Sequence, residues 1–286
     1  MPATVSVASP FVERLRSRVE SVQTSLCLGI DPVPEALPDG FPQDLGGVER
    51  FANLLLDSCV ARAAAVKVNL AFFEAFGSEG IAALERVRAR VPAEVPFIAD
   101  AKRADISTTV ARQAVALFDA LGADAVTANP YLGGEAIAPL LERGDRFVYV
   151  LCRTTNPGAG EFQNLDVKGS PLFVHVARRA SEWAQDRGNV GLVVAATAPA
   201  ELEQVRAAVP QLPFLIPGVG AQGGEVDAVR RFGPATAGAA TAVQGGAILA
   251  NVSRGIAAAA LGTADPESAL AAAAARWADL LGTAGG

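Results

Sequence analysis

Short apolar runs alternate with stretches of helical spacing along almost the whole chain, and this alternation limits the fold more than any other feature. Seven runs are well defined, at 25–31, 64–70, 96–102, 124–128, 146–152, 190–195 and 213–217. An eighth is assigned to 246–252. Helical spacing follows or precedes them over 11–22, 48–62, 78–91, 108–121, 171–187, 199–208 and 266–281. Further helices are expected after the turns at 129–134 and 218–224. The runs are apolar throughout instead of alternating with polar residues, as strands buried on both faces are. Strands of that kind, each followed by a helix, make a parallel sheet covered by helices. Eight units in 286 residues favour a closed (β/α)8 TIM barrel, an α/β fold, over an open doubly wound sheet. No linker breaks the pattern, so one domain over 1–286 is expected, with an N-terminal helical extension at about 1–23.

A hydrophobic fraction of 51% is ample for the core of such a barrel. The formal charge of −6 and pI near 5.0 argue against nucleic acid or an anionic membrane as partner. An anionic ligand must therefore be held by local positive groups. No apolar stretch reaches the roughly 18 to 20 residues of a spanning helix, and residues 2–10 lack the pattern of a signal peptide. A cytoplasmic location is expected. Cys27, Cys59 and Cys152 are widely spaced and form neither a metal-type pair nor a disulfide framework. His175 is the only histidine, which removes histidine-cluster metal sites.

Chemistry concentrates at 96–109, where an apolar strand runs into Asp100-Ala101-Lys102-Arg103-Ala104-Asp105. Side chains two apart on a strand share a face, so Asp100 and Lys102 project together. Asp105 falls in the following loop, and Ser107 and Thr108 are candidate caps for the next helix. Functional groups of a barrel gather at the C-terminal ends of its strands. The polar residues expected there are Asp31, Lys67, Asp100, Lys102, Asp105, Thr155, Gln222 and Arg254. The lysines are the informative ones, because a buried ammonium needs a partner. A purely structural ion-pair network is the bland explanation, but apolar residues of similar volume would be as stable or better.

The turn Gly218-Val219-Gly220-Ala221-Gln222-Gly223-Gly224 follows the seventh strand. Glycines there let backbone N–H groups approach an anion, and the loops after strands seven and eight are the usual phosphate site of barrels. Arg254, past the eighth strand, can add a bidentate contact. Residues 153–170 read as a long polar loop, in which Thr155 and Asn156 are candidates for recognising a polar heterocycle.

These residues resemble the orotidine 5′-phosphate decarboxylase family, in particular its longer bacterial branch. The family pattern Asp-x-Lys-x-x-Asp-Ile-x-x-Thr stands here as Asp100, Lys102, Asp105, Ile106 and Thr109. The stretches 67–74 and 217–224 are similar to that family too. The resemblance implies a homodimeric barrel that makes uridine 5′-monophosphate from orotidine 5′-monophosphate, without metal or organic cofactor. It also implies that Asp31 and Lys67 contact the ribose hydroxyls, while Asp100 and Lys102 flank the departing carboxylate. Asp105 would complete the charge array of the neighbouring subunit's site, with Ile106 beside it and Thr109 reaching the ribose. Thr155 would face the pyrimidine, and Gly220, Gln222 and Arg254 would hold the phosphate.

Three other readings compete. A sibling lyase on the same barrel would use magnesium to hold an enediolate, although Lys67 stands where a metal would prefer an acid. A Schiff-base aldolase would need a lysine with depressed basicity, against which the surrounding carboxylates act. A non-catalytic phosphate-ligand sensor would keep Gly220, Gln222 and Arg254 but has no use for charged strand ends.

Overall fold

Eight parallel strands close on themselves in chain order: β1 (Leu26–Ile30), β2 (Ala65–Asn69), β3 (Phe97–Arg103), β4 (Ala125–Ala128), β5 (Phe147–Arg153), β6 (Val190–Val194), β7 (Phe214–Pro217) and β8 (Ile248–Val252), with β8 pairing β1. This computed structural model describes residues 9–185, 187–220 and 225–283. The expected (β/α)8 barrel is therefore observed, and each strand lies within about two residues of its apolar run.

The continuous apolar character of the strands has a simple cause. Leu26, Leu28, Val66, Val68, Phe97 and Ala99 face outward into the layer beneath the helices. Cys27, Ala65, Ile98, Ala125, Phe147, Leu215 and Leu249 face inward and form a second cluster along the barrel axis. Successive side chains thus enter two different apolar environments, and neither face tolerates solvent-loving residues except at the mouth.

Helices α1 (Pro10–Val22), α2 (Leu45–Cys59), α3 (Gly77–Arg90), α4 (Ser107–Ala114), α5 (Gly134–Leu141), α6 (Leu172–Ala184), α7 (Pro199–Ala208), α8 (Val226–Phe232) and α9 (Pro266–Leu280) accompany the barrel. Two expectations need correction. Ile106 occupies the cap position of α4 and no side chain caps it, so neither Ser107 nor Thr108 plays that part. The loop after β5 is not irregular: a helical turn (Gly160–Gln163) and a two-stranded hairpin (Asp166–Val167 with Ser170–Pro171) fill it. Gln163 folds back onto Thr154, accepting from its backbone N–H at 3.0 Å and donating to its hydroxyl at 2.8 Å. His175 meets the carbonyl of Val167 at 2.6 Å and so belongs to the packing of that hairpin.

Helix α1 closes the N-terminal mouth. Ser9 caps it and Pro10 starts it. Phe11 stacks on Phe147 with ring centroids 4.7 Å apart and meets Tyr149 edge-on at 6.0 Å. Phe11, Leu15 and Val19 are buried, each contributing about 1.5–3 kcal/mol. Arg14 pairs with Asp124, whose other oxygen accepts from the Phe97 N–H at 2.9 Å. With that mouth plugged, the opposite mouth remains for chemistry. No helix among the described residues is long and apolar enough to cross a membrane.

Cys27, Cys59 and Cys152 are free and buried. Burial pushes the Cys27 and Cys59 thiols up to about 12 and raises Cys152 as well. Against an aromatic disulfide reagent at pH 8, the folded protein should leave all three thiols unreacted, and urea should release all three. A fast-reacting thiol in the folded protein would contradict this placement.

Candidate active site

The C-terminal mouth holds a cavity of about 210 Å³ whose wall includes Asp31, Lys67, Asp100, Lys102, Thr155 and Arg254. Six of the residues anticipated from the sequence thus meet in one space, although they come from five different strand ends. Lys67 lies in the middle of β2, with Gly29 of β1 and Ile98 of β3 as its neighbours in register. Gly29 is needed there because a Cβ would stand 2.7 Å from the Ser253 Cβ and 2.9 Å from the Asn251 Oδ1.

The centre of the site is Asp100. Its Oδ2 accepts from Lys67 Nζ at 2.8 Å, and its Oδ1 accepts from Lys102 Nζ at 2.6 Å and from the Thr127 hydroxyl at 2.8 Å. Lys67 Nζ also donates to Asp31 Oδ1 at 3.3 Å. Burial alone would raise the Asp100 carboxyl, but Lys67 and Lys102 outweigh it and hold the group well below the usual carboxylate range. Burial likewise pulls Lys67 down, and Asp100 followed by Asp31 more than reverse that, leaving the ammonium above its ordinary value.

Lys102 departs from regular strand geometry. Its φ is +47°, and the pairing of β3 with β4 slips between Ala99 and Arg103. A left-handed residue that is not glycine carries strain of roughly 1–3 kcal/mol. Thr127 stabilises the irregularity from β4: its hydroxyl oxygen accepts from the Lys102 N–H at 2.9 Å while its proton goes to Asp100. The lysine therefore reaches back over the carboxylate two residues earlier, with its chain half exposed to the cavity.

Other anticipated residues lie elsewhere. Asp105 is outside this cavity, and its carboxylate accepts from the Ile106 N–H at 2.7 Å. Ile106 is 60% exposed and Thr109 is part-exposed on the first turn of α4. Gly220 does not line the cavity; Gly218 and Val219 do. Gln222 lies outside the described residues. The helix after that turn begins only at Val226. Asn156 is occupied with the Thr154 hydroxyl at 2.6 Å and is absent from the wall.

Sequence reasoning missed Thr127 and Asn251. Each is a small polar residue inside an apolar run, on the inward-facing parity, which is the signal that could have found them. Asn251 is 7% exposed, lines the cavity, and its Oδ1 has no hydrogen-bond partner among the described residues.

A parallel barrel plugged at one mouth, with a lysine–carboxylate array at the other, has the architecture of a (β/α)8 enzyme. The family model described as Orotidine 5'-phosphate decarboxylase / HUMPS family matches residues 24–273. Orotidine 5'-phosphate decarboxylase of Thermomicrobium roseum is 47% identical over 219 residues, covering 76% of this chain and 78% of that protein. The namesake of Natronomonas pharaonis is 44% identical over 260 residues, covering 90% and 91%. Among solved structures, Leishmania donovani OMP decarboxylase aligns with a TM-score of 0.79 at 36% identity, over 94% of this chain and 98% of that one. Leishmania donovani UMP synthase aligns with a TM-score of 0.80 at 38% identity; 96% of this chain covers 57% of that longer protein. The chain belongs to the orotidine 5′-phosphate decarboxylase / HUMPS family.

The linkage between Lys67 and Asp100 sets a pH dependence. Asp100, lowered on folding, contributes stability above the unfolded carboxylate value near pH 4. That contribution is lost as acid carries the pH down through its folded value. Lys67→Met removes the first charge holding it down, so acid unfolding followed by circular dichroism should begin at higher pH than in the wild type. An unchanged acid midpoint would show that Lys67 does not hold the carboxylate ionised.

Proposed function

We propose that this chain decarboxylates orotidine 5′-monophosphate to uridine 5′-monophosphate at the C-terminal mouth, with Lys102 as proton donor. The observation that carries the proposal is the Lys67–Asp100–Lys102 array inside the cavity wall, at positions that match the family pattern. The C6–carboxylate bond breaks, its electron pair stays on C6, and carbon dioxide leaves. Lys102 Nζ then gives a proton to C6, forming the new C–H bond, and is reprotonated from solvent. The carbanion has no π system to spread into, so fixed charges in a water-poor pocket must stabilise it.

Repulsion between Asp100 and the substrate carboxylate is a minor contributor. Two unit charges ~4 Å apart at effective ε ~20 interact by roughly 4 kcal/mol. Enzymes commonly remove about 8–23 kcal/mol from a barrier, so stabilisation of the carbanion carries the larger share. Asp31 and Lys67 take the ribose hydroxyls, and Thr155 faces the pyrimidine. The phosphate lies between the turn after β7, with Gly220 and Gln222, and Arg254 after β8. Its binding energy serves to order the mouth and exclude water. The chain's own charged groups supply the whole reaction in this scheme, without metal or organic cofactor, in a cytoplasmic enzyme.

The assembly in this reading is a homodimer. Asp105, Ile106 and Thr109 of each subunit reach the other subunit's cavity, which accounts for Asp105 lying outside its own. Large apolar side chains exposed on successive loops support an interface there: Ile106 after β3, Tyr131 and Leu132 after β4, and Phe162 and Leu165 after β5.

Purified protein should consume orotidylate, followed by its ultraviolet absorbance, equally well with and without a strong chelator. Strict magnesium dependence would favour the sibling lyase instead. Lys102→Ala should abolish turnover while uridine 5′-monophosphate binding stays measurable; near-normal turnover would remove the proton donor. Lys102→Ala and Asp105→Ala dimers should each be inactive, yet re-association should restore about a quarter of wild-type activity, because half the dimers then carry one intact site. A mixture that stays inactive would confine Asp105 to its own subunit.

A further inference from the structure

The turn after β7 and the turn after β8 share one support, the indole of Trp277 on the final helix α9. Its Nε1–H donates to the carbonyl of Gly255 at 3.1 Å. A Cβ on Gly255 would stand 3.2 Å from the indole Cζ2, and a Cβ on Gly220 would stand 2.7 Å from that same atom. Gly220 also has a φ of +78°, so the backbone there is open to glycine alone for two independent reasons. On their other side these turns present Gly218, Val219, Arg254 and Gly255 to the cavity, whose wall does not include Trp277.

We propose that Trp277 is a positioning residue for the phosphate subsite, setting the spacing between the β7 and β8 turns by filling the gap their glycines leave. This rests on reading those turns as the phosphate site. β7 ends at Pro217, and the helix starting at Arg254 is a single turn. What packs behind these turns therefore bears directly on where their backbone donors sit. Trp277 supplies a rigid plane with one hydrogen bond, and its Cζ2 occupies the space that a side chain at Gly220 or Gly255 would need. Donors aimed at an anion act at full strength only when held in place beforehand. The requirement for glycine at 220 is thus imposed by Trp277 as well as by the backbone conformation.

The test compares inhibition by uridine 5′-monophosphate and by uridine, ligands that differ only in the phosphate, in Trp277→Leu, Trp277→Phe and Arg254→Ala. Trp277→Leu should weaken uridine 5′-monophosphate by roughly ten- to hundredfold and leave uridine unchanged. Trp277→Phe keeps an aromatic plane without the N–H, so its loss should be smaller; it also carries the test should the leucine variant fail to fold. A general structural role would weaken both ligands together with a lowered melting temperature, and that outcome overturns the proposal. So does an unchanged preference for the phosphorylated ligand in the Trp277 variants while Arg254→Ala loses it. If Arg254→Ala also keeps the full preference, the phosphate reading itself fails and this inference with it.

Discussion

Lys67 and Asp100 touch in a place where neither could be charged alone. Lys67 is 4% exposed, Asp100 is nearly as buried, and 2.8 Å separates Nζ from Oδ2. Stripping water from an isolated charge of either sign costs several kcal/mol, so each residue is admissible only because the neighbouring strand delivers the other. Closing β2 against β3 in the observed register is therefore also what ionises the site. Such a pair adds little stability over well-packed apolar residues. Its presence therefore fits the charge-based function proposed above better than a purely structural one.

The two ends of the barrel are handled in opposite ways. At the N-terminal end, α1 inserts Phe11 against Phe147 and Tyr149 and ties itself down through Arg14, leaving an apolar plug. At the C-terminal end the inward positions turn polar, from Lys67, Asp100 and Thr127 to Asn251. Tyr149 and Cys27 lie on the boundary, buried and held neutral by burial, Cys27 close enough to feel Lys67. The gradient along one axis separates stability at one end from chemistry at the other. The loops at the reactive end are braced by structure from far along the chain, including the folded-back Gln163 on the β5 loop and Trp277 behind β7 and β8.

Local pattern carried the architecture because a strand buried on both faces leaves an unmistakable continuous run, and eight of them with helices between admit few arrangements. It carried Lys67 and Asp100 for the same reason: a charge inside such a run is unaffordable without a reason. The period-two argument also aligned Lys102 with Asp100, and their amine and carboxylate do meet. The route differs, since Lys102 turns left-handed and the strand slips its register to bring them together. That irregularity depends on Thr127, which is 25 residues away and becomes a neighbour only when β4 pairs with β3.

Spacing within the chain, then, was enough for the barrel, its order of strands and the identity of the charged mouth, because those follow from periodicity and from the penalty on buried charge. Only the closed structure decided that Thr127 braces Lys102, that Asn251 joins the cavity wall, and that Gly220 answers to an indole 57 positions later. These are contacts between segments that share no local pattern. Their partners are chosen by the curvature of the barrel and by which loops it brings side by side, and no window of sequence contains that information.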